Sequence, residues 1–169
     1  MGSPKSEKYR DDDETPHTVT LASGFYLGKH EVTQSQWERV MGSNPSWFKG
    51  ANRPVETVSW HDANSFCEKL TERERKAGRL PAGMSYQLPT DAQWEYACRA
   101  GSQDAFSFDT QSKSITSYVW YKDNSDGKLH KGGMKEPNAQ GLYDMHGNVS
   151  EWVIDRYDHN GYQHHPNTC

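Results

Sequence analysis

The sequence predicts an α+β domain with three short helices, short twisted antiparallel strands and much irregular structure. Three segments with helical spacing of apolar residues each follow a Ser or Thr, as is typical of a helix start. Residues 17–33 alternate apolar and polar positions and are rich in β-branched residues, which favours one or two short strands. From residue 102 onward Gly, Asn, Asp and Ser recur every few positions and regular patterning fades. A long irregular half in a compact domain is typical of a functional surface.

Each predicted helix begins with a capping box, in which a Ser or Thr and a residue three places later bind each other's backbone amides. The helical segments read QSQWERVM, WHDANSFCEKL and DAQWEYACRA, and Gly42 and Gly101 are the predicted stops of the first and third. The capping pairs are Thr33 with Gln36, Ser59 with Asp62, and Thr90 with Gln93. The predicted buried faces comprise Trp37, Val40 and Met41; Ala63, Phe66, Cys67 and Leu70; and Trp94, Ala97 and Cys98.

The composition indicates one globular domain, residues 1–169, with a core built from aromatic rings. The mean hydropathy of −1.05 is low, but 6 Trp, 9 Tyr and 5 Phe supply large apolar surfaces that disordered chains lack. Residues 1–16 are polar and charged, which predicts an extended, solvated arm. The net charge of −4 offers no basic surface for nucleic acid, and no apolar run is long enough to span a membrane. No signal-peptide pattern opens the chain, so the cytoplasm is the default expectation for its location.

The stretch GLYDMHGNVSEW, residues 141–152, is the main candidate for a metal site. Gly147, Val149 and Glu151 alternate, so their carbonyls and side chain converge on one side of an extended turn, with Asp144 entering from the preceding bend. Two carboxylates and backbone carbonyls form an all-oxygen set, which suits Ca²⁺ better than zinc or copper. The alternative is that both acids are solvated or cap nearby backbone amides.

Other residues of this loop and of the tail have simpler interpretations. Tyr143 and Trp152 are predicted core rings that hold the loop, and His146 is predicted to be a surface or hydrogen-bonded residue. The tail is rich in His and Cys, which admits a zinc or copper site, although adjacent histidines point in different directions. The tail residues concerned are His159, His164, His165 and Cys169.

The sequence also disfavours a hydrolase, because no residue is set up as a nucleophile. The segment GNVSEW lacks the Gly-x-Ser-x-Gly elbow that exposes a nucleophilic serine. Cys67 and Cys98 lie on predicted buried helix faces, where thiols are usually inert. Three cysteines in all are too few and too scattered for a disulfide scaffold.

Four long, irregular motifs together resemble one family. They read FYLGKHEVTQSQWERVMGSNPSWFKG, RPVETVSWHDANSFCEKL, YQLPTDAQWEYACRAG and PNAQGLYDMHGNVSEW. In this order they resemble the formylglycine-generating enzyme domain, also called the sulfatase-modifying factor domain. The resemblance runs from Met1 to about Tyr157, which is nearly the whole chain.

The resemblance implies a C-type-lectin-like formylglycine-generating-enzyme fold with much ordered loop. Fully active members oxidise a cysteine in a Cys-x-Pro-x-Arg segment of a sulfatase to formylglycine, using O2 and a copper ion held by two cysteines near the domain's C-terminal end. The resemblance also implies a structural Ca²⁺ at the loop. The partner that it implies is a sulfatase-like peptide or protein. The implied calcium ligands are the Asp144 and Glu151 side chains and the Gly147 and Val149 carbonyls.

The sequence departs from this family in ways that leave two functions open. The chain begins at the Met of a family segment and stops at HHPNTC, so the terminal strands and the copper pair are expected to be missing. Cys67 and Cys98 are then expected to be free, and Ser150 stands where many relatives carry a Trp beside the substrate groove. One hypothesis is an oxidase domain that is inactive alone, with copper expected only in complete members. The other is a non-catalytic, calcium-stabilised module that binds a peptide, with self-association possible through exposed strand edges.

Overall fold

The computed structural model describes residues 1–7, 10–11 and 14–156. The His- and Cys-rich tail, in which the sequence admits a zinc or copper site, therefore lies outside the described residues. The described backbone is built from short helices joined by long turns and irregular segments, and an isolated antiparallel bridge joins Thr33 and Pro54. The helices are α1 (Gln34–Met41), α2 (Trp60–Lys76), α3 (Asp91–Arg99) and α4 (Ile115–Tyr118).

The three predicted helix starts are confirmed, because each is determined by local hydrogen bonds. In α1 the Thr33 side chain accepts from the backbone N–H of Gln36, and the Gln36 side chain accepts from the backbone N–H of Thr33. The same reciprocal pair forms at the starts of α2 and α3. These bonds satisfy backbone donors that have no partner within the helix.

The end of α2 lies further along the chain than predicted. The helix continues from Leu70 to Lys76 through the segment TERERK. These residues are good helix formers, and Glu72 and Lys76 pair across one turn with an O–N distance of 2.6 Å. The apolar periodicity ends at Leu70, but helical propensity continues the helix into solvent.

Two further helix predictions need correction. In α3 the left-handed C-cap is Ala100, with φ of 49°, although Gly101 follows with φ of 89°. The short helix α4 was not predicted, because four residues carry no periodic pattern and its N-terminal Ser114 makes no side-chain capping bond. None of the helices in the described ranges is long and apolar enough to cross a membrane.

The prediction of strands in residues 17–33 is wrong. No strand longer than an isolated bridge occurs in the described backbone. Instead, this segment makes single hydrogen bonds to different loops: the Val32 carbonyl accepts from Val55 at 2.9 Å, and the Lys29 carbonyl accepts from Tyr143 at 3.1 Å. A β-ladder needs successive bonds to one extended neighbour, and in the described backbone the pairing with residues 53–55 stops at the isolated Thr33–Pro54 bridge. Self-association through strand edges left exposed by missing terminal strands stays a prediction.

The core lies between the first three helices and the irregular half. The rings of Trp37 in α1 and Phe66 in α2 stack with centroids 5.0 Å apart, which joins the two helices. Cys98 in α3 is buried as predicted, whereas Cys67 and Trp94 are only half-buried. The buried apolar residues are Trp37, Ala63, Phe66, Leu88, Ala92, Ala97, Cys98, Phe108, Val119 and Met145.

The N-terminal residues are not a solvated arm along their whole length. Ser3 is buried, and its N–H donates to the Glu14 carbonyl at 3.1 Å. The backbone of Gly2 donates to the Glu95 carboxylate at 3.2 Å and accepts from the Arg99 guanidinium at 3.2 Å. Two charged side chains of α3 therefore hold the start of the chain, an interaction between distant residues that charge patterning alone does not show.

Candidate functional site

The loop that carries the predicted metal ligands is held in a tight turn. Asp144 and Asn148 both adopt left-handed backbone conformations, with φ of 59° and 67°. The Asp144 carbonyl accepts from Gly147 at 3.2 Å, and the Gly147 carbonyl accepts from Val149 at 2.9 Å. Such conformations are uncommon for residues other than glycine and cluster at functional sites.

A glycine is required at position 147 because the loop packs directly against a neighbouring segment. A Cβ at Gly147 would overlap the Trp120 carbonyl oxygen and lie 3.0 Å from the Val119 side chain. The same Trp120 carbonyl accepts from the Asn148 N–H at 3.1 Å. The turn is thus anchored to the segment that follows α4.

A third carboxylate, which the sequence analysis missed, faces this loop. Glu31 and Asp144 flank Gly132: a Cβ built there would lie 3.2 Å from Glu31 Oε2 and 3.7 Å from Asp144 Oδ2. Glu31 Oε1 accepts from the Asn148 side chain at 3.1 Å. Glu31 lies 113 residues before Asp144 in the sequence. No local spacing links the two, which is why the pattern did not reveal it.

Two carboxylate oxygens in this group are buried without a hydrogen-bond partner. They are Glu31 Oε2 and Asp144 Oδ1. Buried polar atoms are nearly always paired, so an orphaned oxygen needs a donor or a cation. Asp144 Oδ2, by contrast, accepts from the Gly133 N–H at 2.7 Å. The alternative role of Asp144, as a cap of a backbone amide, is therefore met by Oδ2, while Oδ1 has no hydrogen-bond partner among the described residues.

The electrostatics of the three acids also indicate a site that lacks positive charge. Burial, followed by the charges of Asp144 and Glu151, raises the pKa of Glu31 to about 8. Burial also raises the pKa of Glu151; the hydrogen bond from Trp94 opposes this change and the Asp144 charge adds to it. Like charges that face each other in a low-dielectric site disfavour ionisation unless a cation offsets them.

The predicted calcium ligands are partly brought together. Asp144 is 5% exposed. Glu151 is exposed as a residue, but its carboxylate packs inward and accepts from the Trp94 indole N–H at 2.7 Å. No described residue donates a hydrogen bond to the Val149 carbonyl, whereas the Gly147 carbonyl already accepts one. Among the described residues no three His, Cys, Asp or Glu side chains converge on one metal position. A cation here therefore depends on carbonyl and water ligands, as Ca²⁺ tolerates, and the calcium site stays a prediction.

A cleft of about 530 Å³ adjoins the loop. Part of its lining is the run 148–152, and another part is the run 55–58. The Trp152 indole N–H donates to the Val58 carbonyl at 3.1 Å, which ties the two runs together. Trp152 is 48% exposed, so the prediction that it is a core ring is wrong; Tyr143 is half-buried and packs on His30 with ring centroids 4.7 Å apart. Ser150 is exposed in the cleft lining.

The thiol nearest to this loop is not set up as a nucleophile. Cys98 Sγ lies 3.4 Å from the Met145 carbonyl and 3.9 Å from the His146 ring. Burial raises the pKa of Cys98 to about 11, so the thiol is protonated at neutral pH. His146 accepts from the Ser107 N–H at 3.1 Å, and burial lowers its pKa. His146 is hydrogen-bonded, as predicted, and both Cys67 and Cys98 are free.

This α+β fold and its motifs place the chain among known proteins. The model of the sulfatase-modifying factor enzyme 1-like domain family matches residues 1–168. The chain belongs to this family. Its fold is similar to that of Treponema denticola variable protein 1, with a TM-score of 0.77 and 33% identity over 94% of this chain and 72% of that chain. The predicted formylglycine-generating-enzyme fold class is thereby confirmed.

Two curated relatives carry names of different kinds. The chain is 34% identical to Chaperone protein LppX of Paenibacillus barcinonensis, over 83% of this chain and 65% of that protein. It is 30% identical to the formylglycine-generating enzyme of Mus musculus, over 82% of this chain and 36% of that protein. The chain thus spans less than two thirds of the length of either relative.

Proposed function

We propose that this domain is a calcium-stabilised binding module whose cleft holds an extended polypeptide segment. The observation that supports this best is the shared position of loop and cleft: the run 148–152, which lines the cleft, directly continues the turn that carries Asp144. Clefts of this volume with apolar walls and a few polar groups are typical ligand sites. Calcium would brace one side of the cleft.

The residues that fit a calcium ion are oxygen donors. The carboxylates of Glu31 and Asp144 and the carbonyls of Val149 and Gly147 would hold it directly, with Val149 the freer of the two carbonyls. Glu151 would bind through water, because no three acidic side chains of the described residues converge on one metal position. A bound Ca²⁺ would supply the positive charge that the two orphaned oxygens lack. It would also reduce repulsion among the three acids, and so hold the turn in its left-handed conformation.

Calcium binding is tested by thermal unfolding in Ca²⁺ and in a chelator. We expect Ca²⁺ to raise Tm, because a ligand at about 100 times its Kd stabilises the folded state by about 2.7 kcal/mol. Asp144→Asn should abolish most of the shift, and Glu72→Gln, on the exposed face of α2, should retain it. An equal Tm in both buffers for the unaltered protein would refute the calcium proposal.

The described residues do not fit a copper site of the kind that the family's oxidases use. Cys67 and Cys98 are free, but burial raises the pKa of both thiols, which opposes the thiolate form that binds copper. We therefore expect a Cys-x-Pro-x-Arg peptide to keep its mass after incubation with the domain, copper and O2. A mass change from thiol to aldehyde would contradict the binding-module proposal.

Cysteine oxidation is the second candidate function. The identity of 30% with the mouse formylglycine-generating enzyme favours it. The mass measurement above separates the two, because only the oxidase alters the peptide.

Peptide binding is tested by panning a displayed heptapeptide library on the calcium-loaded domain and measuring the affinity of the selected sequence. We expect Ser150→Arg, which fills an exposed position of the cleft, to weaken binding by roughly tenfold or more. Ser85→Arg, on an exposed turn outside the cleft lining, is the matched control and should bind normally. The absence of any enriched sequence would refute this function.

A further inference from the structure

One carboxylate in the cleft lining has no part in the calcium loop. Glu56 is half-buried, and Oε1 of its side chain accepts from the Phe48 N–H at 2.8 Å. Oε2 accepts from the Thr57 hydroxyl. The Glu56 N–H donates to the Ser46 hydroxyl at 3.1 Å, and Ser46 is itself buried. Two hydrogen bonds therefore hold the carboxylate, and a third holds the backbone of Glu56.

Thr57, which follows Glu56 in the chain and donates a hydrogen bond to it, has a strained backbone. Thr57 has φ of 61°, in the left-handed region that a β-branched residue rarely adopts. This backbone conformation accompanies the hydrogen bond from its hydroxyl to Glu56. Strained residues persist where the surrounding structure over-determines them, and they cluster at ligand sites.

The Glu56 carboxylate has a lowered pKa and lacks a bonded cation among the described residues. Burial raises its pKa, but hydrogen bonds from Thr57, Phe48 and Trp47, with the more distant Lys49 charge, outweigh burial and lower the pKa overall. Its carboxylate forms no ion pair with the basic side chains that the structure describes. The Lys49 ammonium instead donates to the Asn44 carbonyl at 2.7 Å. A carboxylate without an ion-pair partner among the described residues thus belongs to the cleft lining, and each of its oxygens keeps hydrogen-bond capacity.

The rest of the cleft suits the stem of a basic side chain. Phe48 and Trp152 offer aromatic surfaces, and guanidinium and ammonium groups pack well against such rings. The aliphatic parts of Arg and Lys side chains cover apolar surface while their charged ends reach a polar partner. The apolar lining consists of Val55, Val58, Val149 and Leu129.

We propose that the cleft selects peptide segments with an Arg or Lys side chain, whose cationic end pairs with Glu56 and whose stem lies on the apolar wall. Glu56 is then the specificity-determining residue of the cleft. This inference rests on the proposed peptide-binding function.

The test compares library selections on three calcium-loaded proteins: the unaltered domain, Glu56→Gln and Glu72→Gln. Glu56→Gln keeps the shape of the side chain and removes its charge, while Glu72→Gln removes a charge on the exposed surface of α2. We expect Arg and Lys to be enriched several-fold over the input library with the unaltered domain and with Glu72→Gln. With Glu56→Gln this enrichment should disappear. Equal basic enrichment with Glu56→Gln would overturn the inference.

A change on the peptide side keeps the test valid if Glu56→Gln disturbs the fold. The selected peptide is synthesised with its basic residue intact and with citrulline or norleucine in its place. We expect the neutral peptides to bind the unaltered domain roughly tenfold more weakly, since a charge-assisted hydrogen bond is lost. Equal affinities, or selected peptides without basic residues, would overturn the inference but leave peptide binding intact. If no peptide is selected at all, the proposed function fails, and this inference fails with it.

Discussion

At the scale of single residues, a buried glutamine organises the loop after α1. Gln34 is 0% exposed, and its side chain donates to the Phe48 carbonyl at 2.9 Å and the Pro54 carbonyl at 3.2 Å. Its Oε1 accepts from the Asn44 side chain at 3.0 Å and the Gly50 N–H at 2.9 Å. Because Phe48 lines the cleft, this residue links the start of α1 to the geometry of the ligand site.

We expect Gln34→Leu to lower the free energy of unfolding by about 3 kcal/mol or more. The change preserves volume but leaves one buried and three partly buried polar groups without their partner, and an unsatisfied buried group costs about 1–3 kcal/mol. Urea denaturation measures the loss. Gln140→Leu, at an exposed turn, is the control and should change stability by less than about 0.5 kcal/mol. A Gln34→Leu protein as stable as this control would contradict the role assigned to the side chain.

Gly147 is the second residue whose identity the structure explains. Gly147→Ala should destabilise the fold by about 1–3 kcal/mol, because the added methyl overlaps the Trp120 carbonyl oxygen, which is backbone and cannot move aside freely. It should also reduce the Tm shift on calcium addition. Gly24→Ala is a suitable control, since a Cβ there meets nothing within 4 Å. Thermal unfolding of the two variants in Ca²⁺ and in chelator compares them, and equal Tm values would count against this packing.

At the scale of elements, the helices differ in how their starts are held. The starts of α1, α2 and α3 have reciprocal capping boxes, whereas the N-terminal Ser114 of α4 makes no side-chain capping bond. A capping box stabilises the start of a helix through hydrogen bonds between residues three positions apart. The position of α4 depends instead on tertiary contacts such as the stacking of Tyr118 on Phe108, with centroids 4.2 Å apart.

The N-cap residues of the four helices should therefore contribute unequally to the free energy of unfolding. We expect Thr33→Ala, Ser59→Ala and Thr90→Ala each to cost about 1 kcal/mol, because a backbone donor loses its acceptor. Ser114→Ala should cost less than about 0.5 kcal/mol. Chemical denaturation of the four variants provides the comparison. A Ser114→Ala loss as large as the others would show that α4 also depends on its cap.

At the scale of the whole molecule, the acids around the loop couple stability to pH in the absence of metal. Glu31 has an ordinary pKa of 4.5 and a pKa of about 8 in the folded protein. The folded state therefore binds this proton more tightly than the unfolded state. Its contribution to stability is fully present below about pH 4.5 and is lost as the pH rises to about 8.

We expect Glu31→Gln to remove the loss of stability that ionisation of Glu31 causes as the pH rises. In chelator, the Tm difference between Glu31→Gln and the unaltered protein should grow in favour of the variant between about pH 5 and about pH 8. In Ca²⁺ the order should reverse at the higher pH, because the variant lacks one ligand. Thermal unfolding across this range makes the measurement. Parallel Tm curves in chelator would show that Glu31 does not face the other acids as described.

Local chemistry explains which features were predictable. Thr33, Ser59 and Thr90 and their partners lie within three residues of each other, so the capping pattern sufficed to locate three helices. The strands predicted in residues 17–33 failed because alternation specifies a strand only when a neighbour supplies a ladder. Trp152 is predicted to be a core ring that holds the loop, but its indole N–H reaches the Val58 carbonyl and the residue lines the cleft.

The sequence by itself determined the family, the helix starts and the loop that carries Asp144 and Glu151, because each is encoded in contiguous residues. Only the tertiary structure brought Glu31 to Asp144, left two of their oxygens buried and unpaired, and turned Glu56 to the cleft. These contacts join residues far apart in the chain. The energies of these contacts come from burial and charge, which depend on the three-dimensional surroundings of each group rather than on spacing along the sequence.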